Sequence, residues 1–182
     1  MANPPSDRKL PITIGLEFFK ALNLYFTPFA ISLIVLGLII LPEIPKNIFY
    51  GSMITIALTL LFNMGASSYV YNHPETWQKT GYIRMWINLV LNAVFYWMLA
   101  PYWEPVWLLL ALGPIAMALY GDEDKTAWAV GVVAVILLVH RFLKETSSPL
   151  LWGESITQIG FILLLSLFIH RIGRIVKNDY KF

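Results

Sequence analysis

The sequence has 182 residues, of which 58% are hydrophobic and 13% charged, and its mean hydropathy is +0.65. Soluble domains carry about 25% charged residues, so this composition excludes an ordinary soluble fold and indicates an integral membrane protein. The net charge of +2 is too small to indicate a nucleic-acid partner, and the absence of cysteine excludes disulfides, thiolate metal sites and cysteine nucleophiles.

Residues 1–20 form a predicted cytoplasmic N-terminal tail. Pro4 and Pro5 interrupt any helix at its start, and no small-residue cleavage site follows a short apolar core, so we expect no signal peptide. The stretch LPITIGLEFFK at 10–20 mixes apolar residues with Glu17 and Lys20. This pattern is typical either of a helix that lies along the inner membrane surface or of an extension of the first span.

A membrane domain is predicted for residues 21–175, because six segments there approach the roughly 20 apolar residues that a helix needs to cross a bilayer. Polar stretches separate the segments, among them GDEDK at 121–125 and the longest predicted loop at 144–154. The predicted fold is an all-α, polytopic membrane bundle of about six transmembrane helices, followed by a short cytoplasmic tail at 176–182. The six segments are residues 21–41, 48–71, 82–100, 103–120, 126–142 and 156–175.

Lysine and arginine residues are unevenly distributed between the two predicted ends of these spans. With the N-terminus inside, ten of the thirteen lie on the inner side, whereas Lys46, Arg141 and Lys144 lie on the outer side. Because basic loops stay in the cytoplasm, this distribution predicts six spans with both termini cytoplasmic. We therefore expect a multi-pass protein of the inner (plasma) membrane of a bacterium, surrounded by the lipid bilayer.

Polar side chains within the predicted spans are the candidate site residues. Every Asp, Glu, Lys and Arg falls at a predicted span end or in a loop, which counts against a proton-coupled transporter, a pump or a channel for charged substrates. Asn63 lies in the second span, and Asn88 and Asn92 lie four residues apart in the third, hence on one helix face. We interpret the three amides, which no charge accompanies, as interhelical polar contacts. The alternative is a polar pocket for a small ligand.

The fifth predicted span carries two small residues, Ala127 and Gly131, four positions apart. This spacing lets two helices approach closely, so we predict a helix-packing contact there. In the fourth span, Gly113 and Pro114 predict a kink. Both features are consistent with a moving part and equally with tight packing inside one bundle.

The three histidines are the remaining candidate ligands for a cofactor. His73 and His170 lie near the predicted inner face, and His140 lies near the outer one. A haem would need the first two as a pair, and a metal needs several ligands. We interpret the histidines as polar anchors at the membrane interface and expect no bound cofactor or metal. No HExxH, GxSxG or P-loop motif occurs, so we expect no enzymatic activity.

Residues 103–142, WEPVWLLLALGPIAMALYGDEDKTAWAVGVVAVILLVHRF, resemble the later spans of multi-helix membrane sensor regions in bacterial signalling proteins of the histidine kinase type. The similar features are EPVW at 104–107, Pro114 in mid-helix, and ALYG at 118–121. The resemblance implies a membrane input domain. It carries over no catalytic or ligand residue, and the sequence up to Phe182 contains no output domain.

Three functions are consistent with these features. We expect a non-enzymatic integral membrane subunit that associates with other integral membrane proteins in a signalling or energy-converting complex. The first alternative is a membrane sensor or input domain of a signalling protein. The second is a small-solute binding subunit of a transporter, similar to the six-span substrate-binding subunits of vitamin uptake systems.

Overall fold

The computed structural model describes residues 12–41, 44–120, 123–144 and 148–179. These residues form helices and turns without a strand, which fits the predicted all-α membrane bundle, and each predicted apolar segment lies in a helix of its own. The first helix consists of α1 (Ile12–Ala21), a π-turn (Leu22–Phe26) and α2 (Thr27–Ile40). The other helices are α3 (Lys46–Asn72), α4 (Trp77–Leu99), α5 (Leu108–Tyr120), α6 (Glu123–Leu143) and α7 (Pro149–Asp179).

The first helix is continuous from residue 12 to residue 40, although its winding changes in the middle. Ala21 and Thr27, on either side of the π-turn, both have α-helical backbone angles. Pro28 explains the change, because proline has no N–H and its ring clashes with the carbonyl one turn earlier in a regular α-helix, and a wider turn relieves that clash. Residues 12–20 therefore run directly into the first apolar segment. Residues 1–11 lie outside the described part of the chain.

The described helices differ in whether they are long and apolar enough to cross a membrane. α5 is short, and together with the 3₁₀-turn Glu104–Trp107 it forms one apolar helix of intermediate length. α4 has 23 residues, which span about 34 Å, but its first turns carry Lys79 and Arg84. Four stretches in the described residues are long and apolar enough to span, namely Phe19–Ile40, Lys46–Asn72, Glu123–Leu143 and Pro149–Ile175.

α5 lies at the centre of the bundle, where it packs against α4, α6 and α7. Its Leu109, Leu110 and Met117 side chains are almost completely buried. Gly113 lets α4 come close, since a β-carbon at this position would lie 3.0 Å from Cδ1 of Leu89. A helix that is apolar on all sides is typical of a buried position, which explains why this short segment is enclosed by its longer neighbours.

The two polar connections around α6 are shorter than the sequence predicts. α6 begins at Glu123, so part of the predicted turn at 121–125 is helical, and Glu123 and Asp124 place negative charge at the positive end of the helix dipole. α7 begins at Pro149, inside the predicted loop at 144–154. Proline suits this position because the first residues of a helix need no N–H partner inside it.

The C-terminal half of α2 packs against the connection between α4 and α5. The indole of Trp103 lies directly over Gly37, where a β-carbon would be 2.6 Å from Cε3 of the ring. A side chain at Gly37 would therefore displace the indole. This contact fixes the end of the first helix to the rest of the bundle.

Candidate functional site

A buried arginine lies in the first half of α4. The Arg84 side chain is only 5% exposed, although the sequence placed it at the end of a span. α4 begins at Trp77 rather than near Tyr82, so Arg84 lies about two turns inside the helix. The sequence did not predict that Arg84 is buried inside the bundle, so a charged group lies among the helices, which weakens the argument against charged substrates.

The guanidinium of Arg84 is held by side chains from the first helix and from α3. Its Nε donates a hydrogen bond to Oδ1 of Asn63 at 2.6 Å, and its Nη2 donates to Oγ1 of Thr27 at 3.1 Å. The ring centroid of Phe19 lies 5.0 Å from Cζ of Arg84, which is a cation–π distance. Arg84 therefore connects three helices inside the bundle.

Asn63 and Asn88 form a reciprocal amide pair beside Arg84. Nδ2 of Asn88 donates to Oδ1 of Asn63 at 3.0 Å, and Nδ2 of Asn63 donates to Oδ1 of Asn88 at 3.3 Å. Asn92 makes a different contact, since its Nδ2 donates to the carbonyl oxygen of Leu109 in α5 at 2.8 Å. All three amides thus bond between helices, and a charged group does accompany them, contrary to the premise of the sequence argument.

A cavity of about 60 Å³ lies next to these side chains, between the first helix, α3, α4 and α5. Both polar and apolar residues line it. The polar lining residues are Thr27, Thr59, Asn63, Arg84, Asn88 and Asn92. The apolar ones include Leu22, Phe26, Ala30, Met85, Leu112 and Ala116.

The π-turn of the first helix forms part of the cavity wall. Leu22 and Phe26, the first and last residues of this turn, both line the cavity. Thr27, which accepts the hydrogen bond from Arg84, follows directly. π-helical turns are rare and occur frequently at functional sites. The π-turn therefore lies beside both Arg84 and the cavity. No sequence pattern indicated the π-turn.

Ala127 and Gly131, the predicted helix-packing pair, lie on an exposed face of α6. A β-carbon at Gly131 would have no atom within 4 Å among the described residues. The buried face of the same helix instead carries residues such as Ala129, Val133 and Leu137. The structure does not bring the small pair into a contact within the described bundle, so close packing there stays a prediction for another helix.

His73 and His170 have different surroundings. His73 follows the last residue of α3, its ring lies against Tyr69, and its Nδ1 is 3.8 Å from Oε1 of Glu75. His170 lies in α7, and both of its ring nitrogens are buried without a hydrogen-bond partner among the described residues. The described part of the chain contains no group of three His, Asp or Glu side chains able to hold a metal ion.

A second polar cluster joins α6 and α7 at the other end of the bundle. Arg141 donates from Nε to Oγ of Ser155 at 3.1 Å and from Nη2 to Oε2 of Glu154 at 3.3 Å. The hydroxyl of Tyr96 lies 3.1 Å from Nδ1 of His140, which is buried. The sequence placed Arg141 at the outer end of the fifth span but gave no sign of its partners in α7.

The cavity at Arg84 combines a permanent positive charge, amide groups and an apolar wall. Ionisable side chains inside a membrane domain typically face a partner or a binding cavity and mark functional positions. Comparison of the chain with protein-family models, curated proteins and solved structures finds no match. The function must therefore be inferred from the chemistry of the site.

Proposed function

We propose that the chain is a non-enzymatic integral membrane protein that binds a small ligand in the cavity beside Arg84, as the input domain of a membrane sensor. The observation that carries the proposal is a buried arginine that lines a cavity. Arg84 lies about two turns inside α4, and ionisable residues within a membrane domain are rare and typically mark functional positions. A binding role accounts for the arginine and the amides that line one cavity.

The proposal includes six spans with both termini in the cytoplasm of a bacterial cell. The six separate helices and the uneven distribution of lysine and arginine support this arrangement. In this orientation α3 ends and α4 begins at the cytoplasmic side. Arg84 and Asn63 then lie in the inner half of the bundle, and the ligand is a cytoplasmic solute.

The first helix is the element through which ligand binding would change the conformation of the rest of the molecule. Thr27 contacts Arg84, and Leu22 and Phe26 line the cavity from within the π-turn. A π-turn that rewinds as α-helix rotates everything before it relative to everything after it. A ligand that favours one winding would therefore turn α1, which is the change that a sensor needs. The resemblance of residues 103–142 to membrane sensor regions agrees with this role.

Association with other integral membrane proteins stays a prediction. Large apolar side chains are exposed on every long helix, for example Ile39, Leu61, Trp128 and Leu164. Such side chains suit lipid and partner helices equally well, and they do not single out one interface.

Thermal unfolding of the purified chain in detergent tests the proposal with a panel of small polar solutes. Ala116→Leu fills the cavity, because Ala116 lines it. Ala57→Leu is the matched control, since it adds the same side chain on an exposed face of α3. At ten times the Kd, binding stabilises the fold by about 1.4 kcal/mol, which corresponds to a rise in Tm of about 3–5 °C for a chain of this size.

We expect at least one solute to raise the Tm of the parent chain and of Ala57→Leu, but not that of Ala116→Leu. A panel without any effect on the parent would contradict the proposal. A rise that persists in Ala116→Leu would do the same, because the solute would then bind elsewhere.

A further inference from the structure

We infer that the ligand reaches the Arg84 cavity through a groove between the first helix and α3, which opens to water where α3 ends. This inference rests on the proposed function and adds the route of entry. It follows from the position of the groove, from the side chains that line it and from two residues that it shares with the cavity.

The groove has a volume of about 500 Å³. On α3 it extends from Leu60 to Asn72, the last residue of the helix, which corresponds to a length of about 18 Å. The first helix contributes Asn23, which lies in the π-turn, and Thr27. Because α3 is long and apolar enough to span a membrane, the Asn72 end of the groove lies at a membrane surface and the Leu60 end lies deep in the bilayer.

Polar side chains from both helices line the groove. Ser68 and Asn72 are exposed and Asn23 is half-buried, and these three side chains make no hydrogen bond within the described part of the chain. An amide or hydroxyl without a partner is costly in hydrocarbon, and polar residues inside membrane domains typically face the bundle interior or a water-filled cavity. The lining therefore suits a groove that holds water, through which a water-soluble ligand can move.

Thr27 and Asn63 line both the groove and the cavity. Each accepts a hydrogen bond from Arg84, at 3.1 Å and 2.6 Å respectively. Movement of these two side chains would connect the groove to the cavity without displacing a helix. Thr27 directly follows the π-turn, so a change in the winding of the first helix would also open or close this connection.

The contact between α4 and α5, on another side of the cavity, is tighter. A β-carbon at Gly113 would lie 3.0 Å from Cδ1 of Leu89, and Nδ2 of Asn92 donates to the carbonyl oxygen of Leu109 at 2.8 Å. Entry between α4 and α5 would require these two helices to separate. Entry through the groove requires only side chains to move, which makes it the faster route.

Thiol labelling of the full chain in open membrane fragments tests whether the groove holds water. A membrane-impermeant methanethiosulfonate reagent reacts with the thiolate, and apolar surroundings suppress this form of cysteine. Met64→Cys places the thiol in the groove. Gly65→Cys is the matched control, because Gly65 is the next residue of α3 and is exposed, but does not line the groove. We expect Met64→Cys to react and Gly65→Cys to remain unmodified.

Binding kinetics test whether the groove is the route to the cavity. The probe is a radiolabelled solute that raises the Tm of the parent chain. Ser68→Trp obstructs the groove, whereas Leu61→Trp adds the same side chain on an exposed face of α3 outside it. In Ser68→Trp the rate constants of association and dissociation should both fall about tenfold or more, since an obstacle raises the barrier in both directions. The Kd should therefore stay unchanged, and Leu61→Trp should behave as the parent chain does.

An unreactive Met64→Cys would overturn the inference, because the groove would then hold lipid rather than water. Equal rate constants in Ser68→Trp and Leu61→Trp would do the same, because the solute would then enter elsewhere. A higher Kd in Ser68→Trp with an unchanged rate of association would make the groove part of the binding site and not its entrance. All three results would leave the ligand site in place. If no solute raises the Tm of the parent chain, the inference and the proposed function fail together.

Discussion

Nε of Arg84 in α4 donates a hydrogen bond of 2.6 Å to Oδ1 of Asn63 in α3, inside the helical bundle. The same oxygen accepts a hydrogen bond from Asn88 at 3.0 Å. Hydrogen bonds from a charged donor are roughly twice as strong as those between neutral groups, and burial strengthens them further. Asn63 is therefore the residue on which the geometry of the polar cluster depends most.

Asn63→Leu should destabilise the fold more than Asn88→Leu or Asn92→Leu. Leucine at position 63 removes the acceptor of a charged donor and of a neutral one, at a cost of about 2–3 kcal/mol. The other two substitutions each remove contacts of a neutral amide, worth about 0.6–2 kcal/mol. Denaturation of the three variants in detergent measures the difference. Equal losses of stability in all three variants would show that the hydrogen bond between Arg84 and Asn63 does not stabilise the fold.

Gly37→Ala should displace the indole of Trp103 and destabilise the fold by about 1–3 kcal/mol, as overpacking does. Gly65→Ala is the control, because a β-carbon there has no atom within 4 Å, and it should stabilise α3 by a few tenths of a kcal/mol. The double variant Gly37→Ala with Trp103→Leu should be less affected than the two single effects added together. Additive effects, measured by thermal denaturation, would argue against a direct contact.

Six spans with both termini in the cytoplasm predict a defined pattern of chemical labelling. The chain has no cysteine, so single cysteines at Ser6, Ser148 and Lys181 report on one position each. A membrane-impermeant thiol reagent added outside the cell should label position 148 alone. Labelling of position 6 or 181 from outside would show that the orientation is reversed or that the number of spans differs from six.

The purified chain should show no haem or pigment absorption and no stoichiometric metal. The reason is that the histidines have different surroundings. His73 is exposed and interacts with Glu75, whereas His140 is buried next to Tyr96. An absorption spectrum and a metal analysis of the parent chain, beside the His73→Ala and His170→Ala double variant, provide the measurement. A band that is present in the parent and lost in the double variant would assign a cofactor to these two residues.

The helices were predictable because apolar runs of this length form helices when they meet lipid, where every backbone N–H and C=O needs an internal partner. The start of α4 was less predictable. Gln78, Lys79 and Thr80 lower the hydropathy of its first turns but are compatible with a helix. Hydropathy alone therefore placed Arg84 at a span end, although tertiary packing buries it.

The cavity was not predictable from local patterns, because Asn63, Arg84 and Thr27 come from three separate helices. One signal was nevertheless present in the sequence. Arg84, Asn88 and Asn92 follow each other at intervals of four residues, which places the charge and both amides on one helix face. This spacing alone was enough to predict that a charged group lies beside the amides. The parts of the cavity wall that come from the π-turn and α5 could be identified only in the folded structure.

The Nε–H signal of Arg84 in an NMR spectrum of the nitrogen-15-labelled full chain, in detergent micelles, tests the ligand site most directly. The Arg84→Lys variant identifies the signal. Titration with a solute that raises the Tm of the parent chain should shift it saturably, while the signal of the exposed Arg174 stays in place. In Ala116→Leu the same solute should not move the Arg84 signal. An Arg84 signal that the solute leaves unchanged in the parent chain, or that moves equally in Ala116→Leu, would contradict a ligand site in this cavity.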